Sequence, residues 1–386
     1  MSEAANRSDY IHRSLHYSHE LIARQSVTPE DNGCQRFLSQ YLSSAGFSCK
    51  HYQVNGVSNL IARWGSGPSH FAFCGHTDVV SPGPLEEWHT DPFTPVFRDN
   101  MLFGRGAADM KSGIAAMLAA TERSVHLMNP HEYSFWWLIT SDEEGEALYG
   151  TSWMKKELDK QGIKLNACLI GEPTASRSSG DTIKVGRRGA LSGSVVVRGK
   201  QGHVAYPGSC RNAIHTASDI IQALTCHRWG AGSADFPGTS LQITHVDTGA
   251  WVDNLVPGAA RIAFNVRYDA EYSNDSLVAL LTSLIKNVSP HTQIHWSRPC
   301  SPYLTKSRAN DCWLQRCERA IVNTTGKYPL LSTAGGTSDG RFFDSSTQII
   351  EVGVPNSTIH QANECVHLCD IITLEDIYTD ILQGLV

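Results

Sequence analysis

Histidine and carboxylate residues stand directly after three short apolar runs of the chain. They are His76 after Phe71–Cys74, Glu143 and Glu144 after Phe135–Thr140, and Glu172 after Ala167–Ile170. Such runs are typical of buried strands, and the ligand crevice of an open α/β sheet lies at the carboxyl ends of its strands. Asp109, where a glycine-containing loop meets a predicted helix, would reach the same edge. Carboxylates with histidine suit Zn²⁺ or a similar cation, and one carboxylate can bridge two ions.

Two short stretches of this set carry a more detailed hypothesis. Near His76, Asp78 would accept a hydrogen bond that fixes the orientation of the metal-binding ring. In the pair Glu143-Glu144 one carboxylate would bind metal and the other would act as a base, because two uncompensated carboxylates repel each other. The residues alone leave these two roles unassigned. They also leave open that the acidic run is a solvated loop and that Asp109 is only a helix cap.

Strands that alternate with helices must position these residues. A helix is predicted over 110–125, and a fourth strand over 348–352 leads through a loop to His360, which predicts an α/β sheet with helices on both sides. The intervening segment has the order of a small α+β domain, with strands at 195–197, 241–244 and 261–268 and helices at 213–225 and 276–286. The predicted domains are a catalytic domain, first part (1–181), an inserted domain (182–299) and the catalytic domain, second part (300–386).

Composition limits the class of protein. The chain has 386 residues, of which 41% are hydrophobic and 18% are charged, as in a soluble protein of two domains. Its formal net charge of −6 argues against nucleic acid or an anionic membrane as a partner. No apolar run reaches the length of a membrane span, and the 11 cysteines are scattered without a C-x-x-C pair. We therefore expect a cytoplasmic protein with free thiols.

Longer stretches of the chain resemble the succinyl-diaminopimelate desuccinylases, a family of the di-zinc aminoacylase and carboxypeptidase group. The matching stretches are Gly75–Val80, Gly104–Lys111, Thr140–Gly145, Gly171–Pro173, Gly186–Gly189, Gln201–Pro207, Gly335–Phe342 and Asn356–His360. The stretches at 186, 335 and 356 are more particular to the desuccinylases than the others. The resemblance covers nearly the whole chain.

This resemblance implies a fold and a pair of metal ions. The fold would be a di-zinc exopeptidase-like α/β catalytic domain with an inserted ferredoxin-like α+β domain that forms a lid and dimer interface. Two Zn²⁺ per subunit, or Co²⁺ as a substitute, would be the cofactors. His76 and Glu172 would hold one ion, Glu144 and His360 would hold the other, and Asp109 would bridge them.

The resemblance also implies catalytic and substrate-binding residues. Glu143 would be the general base, Asp78 would support the site, and His203 would stabilise the oxyanion in the active site of the partner subunit of a homodimer. The residues that contact the substrate would be Arg187, Arg267, Thr337 and Asn356. The implied reaction is hydrolysis of N-succinyl-LL-2,6-diaminoheptanedioate to succinate and LL-2,6-diaminoheptanedioate, a step of lysine and diaminopimelate biosynthesis.

Two positions depart from the pattern of the family. Ala190 stands where a serine is expected, and Asp253-Asn254 stands where two asparagines are expected. Both departures concern substrate contacts and leave the metal ligands complete. Two alternatives stay open: a sister deacylase such as an acetylornithine deacetylase, an aminoacylase or a dipeptidase, and an inactive relative that only binds a ligand or a partner.

Overall fold

The computed structural model describes residues 12–305 and 313–385. The chain divides into two compact units. Unit 1 comprises the chain up to Gly186, Leu304–Ser332 and the chain from Ser338 onward, and unit 2 comprises Arg187–Tyr303 and Thr333–Thr337. The sequence predicts the inserted domain over 182–299, and it does not predict that the short segment at 333–337 accompanies it.

Unit 1 combines helices with two sheets. Its helices are α1 (Arg13–Ile22), α2 (Cys34–Ser44), α3 (Ser112–Ser124), α4 (Thr151–Lys160), α7 (Trp313–Thr325) and α8 (Leu368–Gln383), with short 3₁₀ turns at Leu85–Glu87, Val125–Leu127 and Asp339–Phe342. Its strands are β1 (Ser48–Val54), β2 (Val57–Gly65), β3 (Ser69–His76), β4 (Val96–Arg98), β5 (Met101–Phe103), β6 (Tyr133–Thr140), β7 (Ala167–Ile170), β8 (Thr182–Lys184), β17 (Leu330–Ser332), β18 (Gln348–Glu351) and β19 (Cys365–His367). The main sheet has the order β1-β2-β6-β3-β7-β18-β8-β17, and β19, β5 and β4 form the smaller one.

The centre of the main sheet is parallel and buried. β6, β3, β7 and β18 lie side by side in parallel pairs. All of β7 and the second half of β3 are buried, as expected for continuous apolar runs in a covered parallel sheet. The rings of Phe73 and Trp137 pack with their centroids 4.9 Å apart, and α3 packs against α1 and α8. The predicted α/β class is confirmed, and the four predicted strands coincide with β3, β6, β7 and β18.

Two hairpins of unit 1 were not predicted. Asn55 and Gly56 join β1 to β2 with φ values of 50° and 85°, and Asp99 and Asn100 join β4 to β5 with φ values of 52° and 59°. Two positive φ values match the right-handed twist of paired strands, which makes Asn-Gly a strong hairpin signal. The first hairpin lacked an apolar pattern, however, because β1 has no buried residue.

Unit 2 contains an antiparallel sheet of four strands in the order β12-β14-β10-β15. Its strands are β10 (Gly189–Arg198), β11 (Gly202–His203), β12 (Ser240–Asp247), β13 (Leu255–Val256), β14 (Ala259–Tyr268) and β15 (Gln293–Cys300), and its helices are α5 (Ala213–Thr225), α6 (Asn274–Val288) and a 3₁₀ turn at Pro207–Ser209. The chain order β10-α5-β12-β14-α6-β15 is ferredoxin-like, as predicted. Buried and partly exposed residues alternate along β14, which confirms the predicted half-buried strand. β9 (Gly186–Arg187) and β16 (Tyr303–Leu304) lie where the chain passes from one unit to the other.

Within the described ranges, no helix is both long enough and apolar enough to cross a membrane. Every cysteine in those ranges is a free thiol. Cys74, two residues before His76, is buried, and its Sγ lies 3.8 Å from the hydroxyl oxygen of Thr151.

Candidate active site

Strand register brings the predicted metal ligands to one edge of the main sheet. His76 at the end of β3 lies level with Thr140 at the end of β6, and Cys74 lies level with Ile170 at the end of β7. Glu172, just beyond β7, and the acidic turn after β6 therefore start from the same edge as His76. This is the convergence that the strand-end pattern predicts.

Asp109 reaches this edge from the turn that precedes α3. Ala107–Lys111 form a π-type turn in which Asp109 and Met110 have non-helical torsion angles, and the peptide bond between them is cis. A Cβ atom added to Gly75 would lie 2.7 Å from Met110 Cε, and one added to Gly171 would lie 2.9 Å from it. Glycines at the ends of β3 and β7 therefore make room for Met110, so that the Asp109 turn can approach the sheet.

The five predicted ligands form two groups that share Asp109. The strand-end group consists of His76, Asp109 and Glu172, and the loop group consists of Asp109, Glu144 and His360. In the strand-end group, His76 Nε2 lies 3.3 Å from Asp109 Oδ1 and 3.5 Å from Glu172 Oε1. In the loop group, His360 Nε2 lies 3.0 Å from Glu144 Oε1 and 3.5 Å from Asp109 Oδ2. The two carboxylate oxygens of Asp109 thus face different groups.

The spacing of these atoms fits one metal ion at the centre of each group. Ligand atoms bound tetrahedrally to zinc at its usual distances lie roughly 3.4 Å from one another, close to the distances from His76 Nε2 and His360 Nε2 to the carboxylate oxygens of their groups. His76 Nε2 and Asp109 Oδ1 are buried and have no hydrogen-bond partner among the described residues, although they lie 3.3 Å apart. Because buried polar atoms are seldom left unpaired, both atoms point to a position that a cation would fill.

Asp78 contacts both His76 and the acidic turn. His76 Nδ1 lies 2.9 Å from the main-chain carbonyl oxygen of Asp78 but 3.6 Å from its carboxylate. The carboxylate accepts the backbone N–H groups of Glu144, at 3.1 Å, and Glu143, at 3.4 Å. Asp78 therefore orients His76 through its backbone and holds the acidic turn through its side chain.

Glu143 belongs to neither ligand group. Its side chain is 12% exposed, and its Oε1 lies 3.9 Å from Arg341 Nη1. Burial raises the pKa of the Glu143 carboxyl well above its usual value, and the charge of Glu172 raises it further. A carboxyl with this proton affinity suits a general base once a cation compensates its neighbours. Arg341 was not among the predicted site residues, although it lies within the Gly335–Phe342 stretch.

The histidines balance the charge of the carboxylates in both groups. Burial lowers the pKa of His76, but the close carboxylates of Asp109 and Glu172 outweigh this and raise it well above its ordinary value. Asp109 and then Glu144 raise the pKa of His360 to about 10. Burial alone would raise the pKa of Asp109, but His360 and His76 hold it below its ordinary value. Metal ligation would replace these protons, because a ligating imidazole must be neutral.

The predicted substrate-binding residues are divided between the two units. Asn356 lies in unit 1, where it is exposed and its backbone N–H donates to the carbonyl oxygen of Ala175 at 3.1 Å. Arg187 and Thr337 lie in unit 2. The guanidinium of Arg187 is buried and donates to the carbonyl oxygen of Gly336 at 3.3 Å. Arg187 therefore supports the turn that carries Thr337.

Arg267 and the departing residue Ala190 are neighbours in unit 2. They stand directly opposite each other on the adjacent strands β14 and β10. Residues opposite each other in an antiparallel pair have side chains on the same face. A serine at position 190 would place a hydroxyl group beside the arginine side chain, whereas the alanine provides none.

His203 lies on the surface of unit 2. Its Nδ1 accepts the backbone N–H of Ala205 at 3.1 Å, and its strand β11 pairs with β13. The dyad Asp253-Asn254 directly precedes β13, and the carbonyl oxygen of Asn254 accepts the backbone N–H of Val204 at 3.0 Å. The second departure from the family pattern is therefore next to His203.

Comparison with known proteins places this geometry in a family. The model of peptidase family M20/M25/M40 matches residues 72–384. The chain belongs to this family. Its resemblance to the desuccinylases within the family is confirmed by two relatives. Succinyl-diaminopimelate desuccinylase 1 of Alteromonas mediterranea is 57% identical over 376 residues, which cover 97% of this chain and 96% of the relative.

Succinyl-diaminopimelate desuccinylase 2 of Shewanella loihica is 47% identical over 372 residues, which cover 95% of this chain and 99% of the relative. Among solved structures of the M20 family, a metallo-carboxypeptidase from Sulfolobus solfataricus superimposes with a TM-score of 0.82. The match covers 96% of this chain and 99% of that one at 14% identity. At this identity the likeness shows the shared fold.

Proposed function

We propose that the chain hydrolyses N-succinyl-LL-2,6-diaminoheptanedioate to succinate and LL-2,6-diaminoheptanedioate, in lysine and diaminopimelate biosynthesis. The observation that carries the chemistry is that Asp109 is shared by two groups of candidate metal ligands, one oxygen in each. The relatives named above, up to 57% identical over nearly the whole chain, support this substrate. For such a biosynthetic step we also propose a cytoplasmic location.

We assign one Zn²⁺ to the strand-end group and a second to the loop group, with Co²⁺ as a substitute. When bound, such a pair would lower the pKa of water towards about 7 and would polarise the amide carbonyl. The carboxylate and imidazole donors of both groups suit zinc. The buried, unpartnered atoms of His76 and Asp109 support this assignment.

Glu143 is the proposed general base. It stands on the same turn as the ligand Glu144 yet lies outside both ligand groups, so that its carboxylate is available for proton transfer. It accepts a proton from the attacking water and then donates one to the leaving amine, which restores its starting state. Arg341, 3.9 Å away, holds a positive charge beside this carboxylate.

His203 is proposed to act on the active site of a partner subunit, so that the protein works as a homodimer. Its exposed position on unit 2 supports this role. In that site the imidazole would donate a hydrogen bond to the oxyanion of the tetrahedral intermediate. One such donor contributes on the order of 10²–10³ to the rate.

The proposed substrate contacts are Arg187, Arg267, Thr337 and Asn356. The planar guanidinium of arginine meets carboxylates in a bidentate fashion, and the proposed substrate carries several carboxylates. Arg188, next to Arg187, has a structural role instead. It donates to the carbonyl oxygen of Gly238 at 3.1 Å within unit 2.

Succinate release by the Zn²⁺-reconstituted protein tests the reaction. We expect the succinylated substrate to be hydrolysed about 10³-fold or more faster than N-acetylornithine, because a buried polar site rejects a substrate that leaves its groups unpaired. Faster hydrolysis of N-acetylornithine would instead identify a sister deacylase. Two bound ions with no hydrolysis of either compound would identify an inactive relative.

Mixed dimers test the role of His203. We expect His203→Ala to lower kcat by about 10²–10³ with the metal content unchanged. When this variant is mixed with Glu143→Gln and the subunits exchange, one site of each mixed dimer regains both groups. Recovery of activity in the mixture supports action across subunits. No recovery in verified mixed dimers would contradict it.

A further inference from the structure

A buried carboxylate outside both ligand groups is surrounded by the backbone of the Asp109 turn. Glu364 Oε2 accepts Arg105 Nη1 at 2.7 Å and the N–H of Gly106 at 2.9 Å. Its Oε1 accepts the N–H of Ala108 at 2.8 Å and the N–H of Asp109 itself at 3.1 Å. Four N–H groups thus converge on one carboxylate, and three of them belong to the backbone that leads to the shared ligand.

Glu364 also belongs to the loop that carries His360. Both Thr358 and Cys365 take part in closing this loop, because Thr358 Oγ1 donates to the carbonyl oxygen of Cys365 at 2.8 Å and accepts its N–H at 3.2 Å. The carbonyl oxygen of Glu364 accepts the N–H of Gly104 at 3.0 Å. The same residue therefore joins two segments that are 255 positions apart in the sequence.

The ion pair of Glu364 with Arg105 is not explained by a contribution to the stability of the fold. Both side chains are almost fully buried, at 1% and 2% exposure. Removing two charges from water costs about as much as their attraction returns, so a buried ion pair seldom stabilises a fold more than apolar side chains of similar size would. A role in positioning accounts for its presence better, because the four hydrogen bonds define the path of one loop against another.

We propose that Glu364 is a positioning residue of the metal centre, which fixes the Asp109 turn and the His360 loop at the separation that the loop group requires. This inference rests on the proposed two-metal site and assigns no part of the reaction to Glu364. The strand-end group needs less of this support, because His76 is the last residue of β3 and Glu172 lies two residues beyond β7.

Glu364 is expected to affect the binding of one of the two metal ions more than the binding of the other. Asp109 and His360 are both ligands of the loop group, whereas the strand-end group contains only Asp109. Residues that hold metal ligands in place typically contribute 10–100-fold to metal affinity. Loss of the Glu364 carboxylate therefore weakens chiefly the binding of the ion in the loop group.

Titration of the metal-free full chain with Zn²⁺ alone tests this without any substrate. In Glu364→Gln the amide NH₂ group faces N–H donors and cannot accept from them, so we expect the weaker of the two dissociation constants to rise about 10–100-fold. Isothermal titration calorimetry gives both constants, and the metal content after dialysis should fall towards one ion per chain.

Glu375→Gln is the matched control. Glu375 is also a buried glutamate paired with an arginine, since it accepts Arg123 Nη1 at 3.0 Å, and it touches no ligand of either group. We expect this change to lower thermal stability and to leave both dissociation constants within about twofold, because no metal ligand moves. The comparison separates positioning of metal ligands from general support of the fold.

Three results would overturn the proposal. One is a Glu364→Gln protein that binds both ions with constants within about threefold of the unmodified chain. If that variant does not fold, Glu364→Asp replaces it, because it keeps the negative charge but shortens the side chain by one methylene group and so withdraws the carboxylate from its four N–H donors. An unchanged second binding step in Glu364→Asp would then overturn the proposal. If the unmodified chain binds fewer than two ions, the two-metal function fails, and this inference fails with it.

Discussion

The strand-end group and the loop group share Asp109 but are built on different kinds of structure. His76 and Glu172 lie at or just beyond the ends of buried parallel strands and are 1% and 7% exposed. The His360 side chain is 50% exposed, and its backbone has a positive φ of 61° in a loop. Sites on rigid elements are held more accurately than sites on loops. We therefore expect the strand-end group to bind its ion more tightly.

The ligands that lie on loops and turns are held by additional hydrogen bonds from their backbone. Glu144 and Asp109 each have a backbone N–H bound by a buried carboxylate that is not itself a metal ligand. Asp78 binds Glu144 in this way, and Glu364 binds Asp109. His76, by contrast, is already placed by the sheet. Its ring is oriented by the hydrogen bond that Nδ1 donates to the main-chain carbonyl oxygen of Asp78.

The largest expected effect is a loss of turnover without a loss of metal binding by either group. Glu143→Gln should lower kcat by about 10²–10⁴, because the base is lost, while both groups keep their ions. Succinate release and metal content are the measurements. The control is Glu146→Gln, which makes the same change on the same turn and should leave kcat within about twofold. Activity of Glu143→Gln within about tenfold of the unmodified chain would remove Glu143 from its proposed role.

A second prediction compares the two histidines in the metal-free protein. His76→Ala removes the buried imidazole that faces Asp109 and Glu172 and should lower the free energy of unfolding by about 3–5 kcal/mol. His360→Ala removes a half-exposed partner, and solvent screening limits the loss to about 0–1 kcal/mol. Urea denaturation at neutral pH in the presence of a chelator measures both. Equal losses of unfolding free energy in the two variants would contradict the expectation that the more buried histidine contributes more to stability.

The smallest expected effect concerns Asp78. An asparagine keeps the main-chain carbonyl that contacts His76 but accepts the backbone N–H groups of the acidic turn less strongly. Asp78→Asn should therefore weaken the loop group by about tenfold and leave the tighter binding step unchanged. Titration with Co²⁺, followed by its absorption, measures both steps. Weakening of the tighter step instead would show that the carboxylate of Asp78, and not its main-chain carbonyl oxygen, orients His76.

The strands that carry the site were predictable because each is a continuous apolar run that ends in polar residues. Phe71–Cys74 lies within β3, and Phe135–Thr140 lies within β6. The hairpin of β1 and β2 escaped prediction, since its outer strand is exposed and only the turn Asn55-Gly56 marks it. The segment Thr333–Thr337 could not be assigned to unit 2, because its place depends on contacts made far along the chain.

The sequence by itself determined the strand-end pattern, and it predicted a class of metal and, through its family motifs, five candidate ligands that the structure brings together in two groups. Only the tertiary structure decided how these ligands are held. The carboxylate of Asp78 binds the acidic turn rather than His76, and Glu364 binds the turn of Asp109. Apolar periodicity in the sequence indicates which residues of a helix or strand face the core of the protein. It carries no information about a hydrogen bond between residues 255 positions apart, which exists only once the sheet has brought the two loops together.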